Sequence, residues 1–164
     1  MKTYNKLIIL ALTILMVNAC KQEYIDDIST VAPGTDETAP AITIKYPVEG
    51  TSVDVPELIA SINIEFEVTD DIELKSISVL MDDTEITSYT SFKDYRRFLG
   101  EYLYTELTSG AHKLSIVATD MENKSTTADV NFEKKPPYVA KYAGETFYMP
   151  FDGDYMEKIS FVPA

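Results

Sequence analysis

With 164 residues, 27 acidic side chains against 14 Lys and Arg and a formal net charge of −13, the chain is long enough for one domain of ordinary size. It is too acidic to present an electrostatic footprint for nucleic acid. Its single cysteine allows no disulfide framework, so stability has to come from an apolar core, for which 45% hydrophobic residues suffice.

The chain opens on a short basic head with Lys2 and Lys6, followed over residues 7–17 by an apolar run broken by Thr13. That length fits the apolar region of a signal peptide and is too short to span a bilayer. The run closes on Val17-Asn18-Ala19-Cys20, with a small residue directly before the lone cysteine. This resembles the lipobox of bacterial lipoproteins, in which the cysteine is lipidated and becomes the mature N-terminus. The resemblance implies a leader over 1–19 and an acylated Cys20; a plain secretory peptide or a buried apolar segment are the alternatives. Loss of the leader removes two lysines and no acid, taking the formal net charge to −15. Anionic lipid repels such a chain, so membrane attachment has to come from acyl chains. One chain at ~0.8 kcal/mol per buried CH₂ holds marginally, whereas two or more anchor stably.

Residues 20–39 read as an acidic flexible tether, with Glu23, Asp26, Asp27, Asp36 and Glu37, a central Pro33-Gly34 and no sustained apolar period. The Lys-Gln-Glu-Tyr-Ile-Asp-Asp run after Cys20 also resembles the acidic signal that sends some Gram-negative lipoproteins to the outer face of the cell. The alternative is a solvated acidic linker.

From Pro40 the pattern turns to period two. Ile42, Ile44 and Tyr46 predict a first strand, and Ile62, Ile64, Phe66 and Val68 a second. Ile77, Val79 and Met81 predict a third, which Asp82-Asp83 turns into a short fourth over 85–87. The stretch 89–104 is aromatic and mixed in charge, and a strand is placed only at about 101–107 with its register open. Gly110 opens a strand with Leu114, Ile116 and Ala118 facing inward. Residues 120–124 form a turn with Asn123 suited to a left-handed conformation, and Ala128, Val130 and Phe132 complete a last strand.

Seven short strands with turn signals between them predict an all-β antiparallel β-sandwich over 40–133. The wording of the strands is also similar to bacterial immunoglobulin-like domains of surface proteins, and this resemblance implies that the sandwich is immunoglobulin-like. The matching features are Pro40 and Gly50 around the first strand, the Phe66-x-Val68-x-Asp70-Asp71 end of the second, and Gly110-x-His112-x-Leu114-x-Ile116-x-Ala118-x-Asp120.

Residues 134–164 begin with Lys134-Lys135-Pro136-Pro137, a stiff extended spacer. The run 146–155 then resembles the opening strand and turn of a laminin-G or concanavalin A-like jelly roll. Such a domain needs more strands than this segment holds, so the expectation is a jelly roll cut short. The alternative is a tail that adds a strand to the sandwich or folds over it.

No catalytic constellation emerges. The one histidine, His112, sits at a strand start, no serine lies in a nucleophile elbow, and no Gly-rich phosphate loop is present, so the chain reads as non-enzymatic. Asp70, Asp71 and Asp120 are candidate calcium ligands, because loops at one end of such a sandwich bring them together, and Asp36 and Glu37 of the tether enter at the same pole. Their other role is capping turns. Tyr95, Arg96, Arg97, Tyr102 and Tyr104 are candidate ligand-binding residues, since sugar rings stack on exposed aromatic faces; packing is their other use. No cofactor is required, with calcium as the one candidate.

The layout of lipobox, acidic tether, immunoglobulin-like domain and jelly-roll opening resembles accessory lipoproteins of Sus-type glycan-uptake systems. That resemblance implies an outer-membrane, surface-exposed lipoprotein with a lipid anchor, a polysaccharide or surface-protein partner, and the sandwich as spacer or binding module. A calcium-stabilised adhesion module and an accessory part of a glycan-degrading enzyme are the alternatives.

Overall fold

The computed structural model describes residues 34–151 and 157–159; the leader, Cys20 and most of the expected tether lie outside these residues. Every regular element described is a strand: β1 (Ala41–Tyr46), β2 (Ser52–Val53), β3 (Ala60–Thr69), β4 (Leu74–Met81), β5 (Thr84–Tyr89), β6 (Arg97–Leu107), β7 (Gly110–Asp120) and β8 (Ser125–Lys134). They form a three-stranded sheet in the order β1-β3-β6 and a five-stranded sheet in the order β2-β8-β7-β4-β5. All neighbours run antiparallel except β2, which lies parallel to β8.

The alternation read in the sequence decides which face each strand buries. Ala60, Ile62, Ile64, Phe66 and Val68 of β3 face Leu74, Ile77, Val79 and Met81 of β4 and Leu114, Ile116 and Ala118 of β7 across one core. In the same strand Ser61, Glu65, Glu67 and Thr69 stay in or near water. A shift of register by one residue would exchange these two sets, so which face β3 turns to the core is strongly specified. Hydrophobic burial of this kind contributes roughly 1.5–3 kcal/mol per large side chain.

Turn chemistry agrees with the topology. Asp82 and Asp83 both take positive φ, 51° and 65°, in the two-residue connection of the β4–β5 hairpin, as a type I′ turn requires. Asn123 does the same at φ 68° between β7 and β8.

Two features escaped the periodicity. β2 is only two residues long and carries no period of its own. β6 starts at Arg97, earlier than predicted, and is apolar on both faces: Phe98, Tyr102 and Tyr104 pack inward while Leu99 and Leu103 are exposed. Alternation therefore cannot set its register.

The register also defines two poles. Ala41 pairs with Thr69 and Leu74 with Asp120, so the chain enters beside the β3–β4 and β7–β8 loops. Lys134 pairs with Gly110 and Val53, so the last strand ends at the opposite pole. Strands of ten residues at ~3.3 Å per residue put the two poles about 30 Å apart.

Beyond β8 the chain has no assigned strand among the described residues, including 146–151, where a jelly-roll strand was expected. It is nonetheless held in place. Tyr138 and Tyr148 stack at 4.4 Å, the Lys158 N–H donates to the Tyr148 carbonyl, and Lys158 Nζ lies 2.6 Å from Asp54 Oδ2 just after β2.

Candidate functional site at the entry pole

Three segments converge where the chain enters: residues 34–40, the β3–β4 loop with Asp70 and Asp71, and the β7–β8 turn. The β3–β4 loop is braced by the 90–96 segment, since the Asp70 and Leu74 N–H groups donate to the carbonyls of Arg96 and Tyr95. Asp70 Oδ2 accepts the N–H groups of Ile72 (3.0 Å) and Glu73 (2.7 Å), which caps the turn. The Thr38 hydroxyl donates to Asp71 Oδ1 at 2.6 Å, tying the incoming segment to the loop.

Asp36 completes the group. It is buried at 6% exposure, and one carboxylate oxygen from each of Asp36, Asp70 and Asp71 lies within 4.8 Å of the other two. Neither Asp36 oxygen, nor Asp70 Oδ1, accepts a hydrogen bond. Lys124 Nζ lies 2.9 Å from Asp36 Oδ1, an ion pair whose angles miss hydrogen-bond geometry. Within the segment expected to be a flexible tether, Asp36 is buried and Thr38 is bonded to Asp71, while residues 37–39 are exposed.

Asp120, grouped with Asp70 and Asp71 on sequence grounds, does reach this pole but has a different occupation. It is fully buried; its Oδ1 accepts the Lys124 N–H at 2.9 Å and its Oδ2 lies 3.2 Å from Lys124 Nζ. Burial pushes its carboxyl up, and the Lys124 amide and ammonium more than offset this, holding it below the ordinary Asp range. Glu37 is exposed and outside the cluster. Asp36 takes the place anticipated for Asp120. Its position before β1 marked it in the sequence, but only packing revealed its burial.

The candidate ligand-binding residues do not form one site. Tyr95 is exposed at the entry pole with the Arg96 guanidinium 5.5 Å from its ring centre. Arg97 points to the outer face of the smaller sheet, where its Nε donates to Glu67 at 2.7 Å; Lys45 pairs with the same carboxylate at 2.9 Å. The Arg97 bond and then the Lys45 bond lower the Glu67 pKa. Tyr102 and Tyr104 instead lie on the open flank between β5 and β6, in a cleft of about 500 Å³ lined also by Asp82, Glu85, Ile86 and Glu106. Tyr102 donates to the Ile86 carbonyl at 3.3 Å. Burial, then the nearby Glu106 and Asp82 carboxylates, raise the Tyr104 pKa. The aromatic residues between these groups are core: Phe98 packs against Phe66, Tyr89 and Phe92 with ring centres 4.7–6.0 Å apart.

His112 has a structural position at the exit pole. Its Nδ1 is 2.7 Å from Asp82 Oδ2 and its Nε2 2.8 Å from the Thr108 carbonyl, which ties β7 to the β4–β5 turn.

Residues 40–116 match the family model of the bacterial Ig domain. The match and the two-sheet topology make the described body an immunoglobulin-like β-sandwich. No curated protein matches the chain. Among solved structures, the fibronectin(III)-like modules of Clostridium thermocellum CbhA are 21% identical with a TM-score of 0.47, covering 60% of this chain and 100% of that one. The endo-beta-1,4-mannanase from Thermotoga petrophila is 13% identical with a TM-score of 0.44, covering 63% of this chain and 21% of the mannanase.

Proposed function

We propose that this chain is a non-enzymatic surface lipoprotein whose immunoglobulin-like module is a spacer and binding module, held to the outer membrane through Cys20. The observation that carries the spacer reading is the separation of the poles. The chain enters beside Asp70 and Asp120 and leaves β8 beside Gly110, so two attachments are kept apart by the full length of the strands. A body with a packed core and paired strands does this with little compliance.

The anchor rests on the Val17-Asn18-Ala19-Cys20 wording, and the acidic body needs acyl chains to stay on an anionic surface. Polysaccharide is the partner class we assign to the Tyr102–Tyr104 cleft, whose lining combines two half-buried tyrosines with the carboxylates of Asp82, Glu85 and Glu106 as hydrogen-bond acceptors.

Membrane fractionation of the wild type and of Cys20→Ser tests the anchor. The wild type is expected to sediment with the outer membrane and the variant to become soluble; a variant that stays with the membrane overturns the lipid reading. Retention on immobilised polysaccharide, reduced by Tyr104→Ala, tests the partner class, and unchanged retention removes the cleft from the proposal.

A further inference from the structure

We infer that Asp36, Asp70 and Asp71 form a calcium site that fastens the incoming segment to the sandwich at its entry pole. One oxygen from each carboxylate lies within 4.8 Å of the others, and two calcium–oxygen bonds of about 2.3–2.6 Å laid end to end span about that distance.

Asp36 is buried with its charge only partly met. Asp36 is 6% exposed, and both its carboxylate oxygens, together with Asp70 Oδ1, are shut off from solvent and accept no hydrogen bond. Buried polar atoms are nearly always satisfied, and an orphaned charged oxygen is among the costliest exceptions. Lys124 meets only part of the demand, since its ammonium is shared between Asp36, Asp120 and Glu122 at 2.9, 3.2 and 3.4 Å. Among the described residues Asp70 and Asp71 have no ion-pair partner. With that ammonium shared with Asp120 and Glu122, Asp36, Asp70 and Asp71 keep an uncompensated negative charge that a divalent cation would offset.

The remaining contacts hold the donors in place. The Ile72 and Glu73 amides occupy Asp70 Oδ2 and leave Oδ1 for the ion, while Thr38 engages Asp71 Oδ1 and leaves Oδ2. Carboxylates from a loop and an extended segment suit calcium, which takes six to eight oxygens in flexible geometry; magnesium demands a near-ideal octahedron at about 2.1 Å. Binding would join the segment before β1 to the β3–β4 loop and so set the direction in which the body leaves its tether. The inference stands apart from the anchor and from the polysaccharide cleft.

Calcium titration of the full chain in a chelated buffer is the test, read by calorimetry, by melting temperature and by the rate of Glu-specific proteolysis after Glu37. One ion per chain is expected to bind with a dissociation constant of about 10⁻⁴–10⁻³ M, the range of extracellular modules, and at least about tenfold more tightly than magnesium. Saturation is expected to raise the melting temperature by several degrees and to slow cleavage after Glu37 about tenfold. Asp71→Asn, on an exposed side chain that leaves the calcium-free fold intact, is expected to weaken binding about tenfold or more, and Asp36→Asn to abolish it. Absence of heat and of any melting shift at about 10 mM calcium, well above that range, overturns the inference. So does binding that survives in both variants.

Discussion

Gly100 stands directly across the β3–β6 ladder from Phe66, and a Cβ built on Gly100 would overlap Cζ and Cε1 of the ring and lie 2.7 Å from Cε2. The ring therefore occupies the space a side chain would take, covering a glycine on an edge strand with an aromatic from its neighbour. Phe66 is 1% exposed and its ring centre is 6.0 Å from Phe98 and 6.3 Å from Tyr89, so it has nowhere to retreat. Gly100→Ala is expected to cost about 1–3 kcal/mol, the usual penalty of overpacking. In a Phe66→Leu background the same change should cost clearly less, because the two sites are coupled through one volume. Urea unfolding of the four proteins of this cycle checks it, and strictly additive costs would show that the contact is not what excludes alanine.

On the acid side, stability should follow Asp82. Burial raises the pKa of this carboxyl, but the Lys113 N–H at 2.8 Å and His112 Nδ1 at 2.7 Å outweigh it, and the net shift is downward from 3.8. A group lowered in the folded state contributes stability that is fully present above its unfolded value and is lost as pH falls through the folded one. The contribution is thus intact above about pH 4 and disappears below it. Asp82→Asn, which keeps a residue tolerant of φ 51° at the turn, should flatten the fall in unfolding free energy between about pH 5 and pH 2. Parallel curves for the two proteins would count against the assignment.

Tyr138 should titrate late. Burial, and then the Glu145 carboxylate that accepts its hydroxyl at 2.8 Å, push it from 10.0 up to about 12. For a group raised in the folded state the sign reverses: the link is fully present below pH 10.0 and is lost as pH rises through about 12. Difference absorbance against Tyr138→Phe isolates this phenol among the tyrosines. Glu145→Gln is expected to bring its midpoint back toward 10, and an unmoved midpoint would leave burial as the whole cause.

The segment after β8 is expected to depend on Asp54. Lys158 Nζ lies 2.6 Å and Lys135 Nζ 3.9 Å from Asp54 Oδ2, and the Lys158 N–H completes a bond to the Tyr148 carbonyl. A hydrogen bond to a charged group contributes roughly 1.5–3 kcal/mol, so Asp54→Ala should speed amide exchange at Lys158 about tenfold or more. Exchange in β3, β4 and β7 should not change. Equal loss of protection in both regions would mean that the tail and the sandwich unfold together.

Legibility varied by element for physical reasons. β1, β3, β4, β7 and β8 each bury one face and wet the other, so their apolar residues alternate and can be read without neighbours. β6 defeats this reading because Leu99 and Leu103 are apolar on the outer face while Gly100, on the inner face, has no side chain at all. β2 is too short for any period and exists because β8 offers it an edge, with the Glu133 and Lys135 N–H groups donating to the Thr51 and Val53 carbonyls.

By itself the sequence determined the fold class, the turns at Asp82-Asp83 and Asn123, and the convergence of Asp70, Asp71 and Asp120 at one pole. All of these follow from local propensity and from strand direction. Only the tertiary structure decided that Asp120 is engaged by the Lys124 amide and ammonium while Asp36 is buried beside Asp70 and Asp71 and shares that ammonium. It also decided that Tyr95 and Arg96 lie at one end of the body and Tyr102 and Tyr104 on its open flank. Burial, and the pairing of one charge with another, belong to contacts between residues distant in the chain, and spacing along the sequence does not encode them.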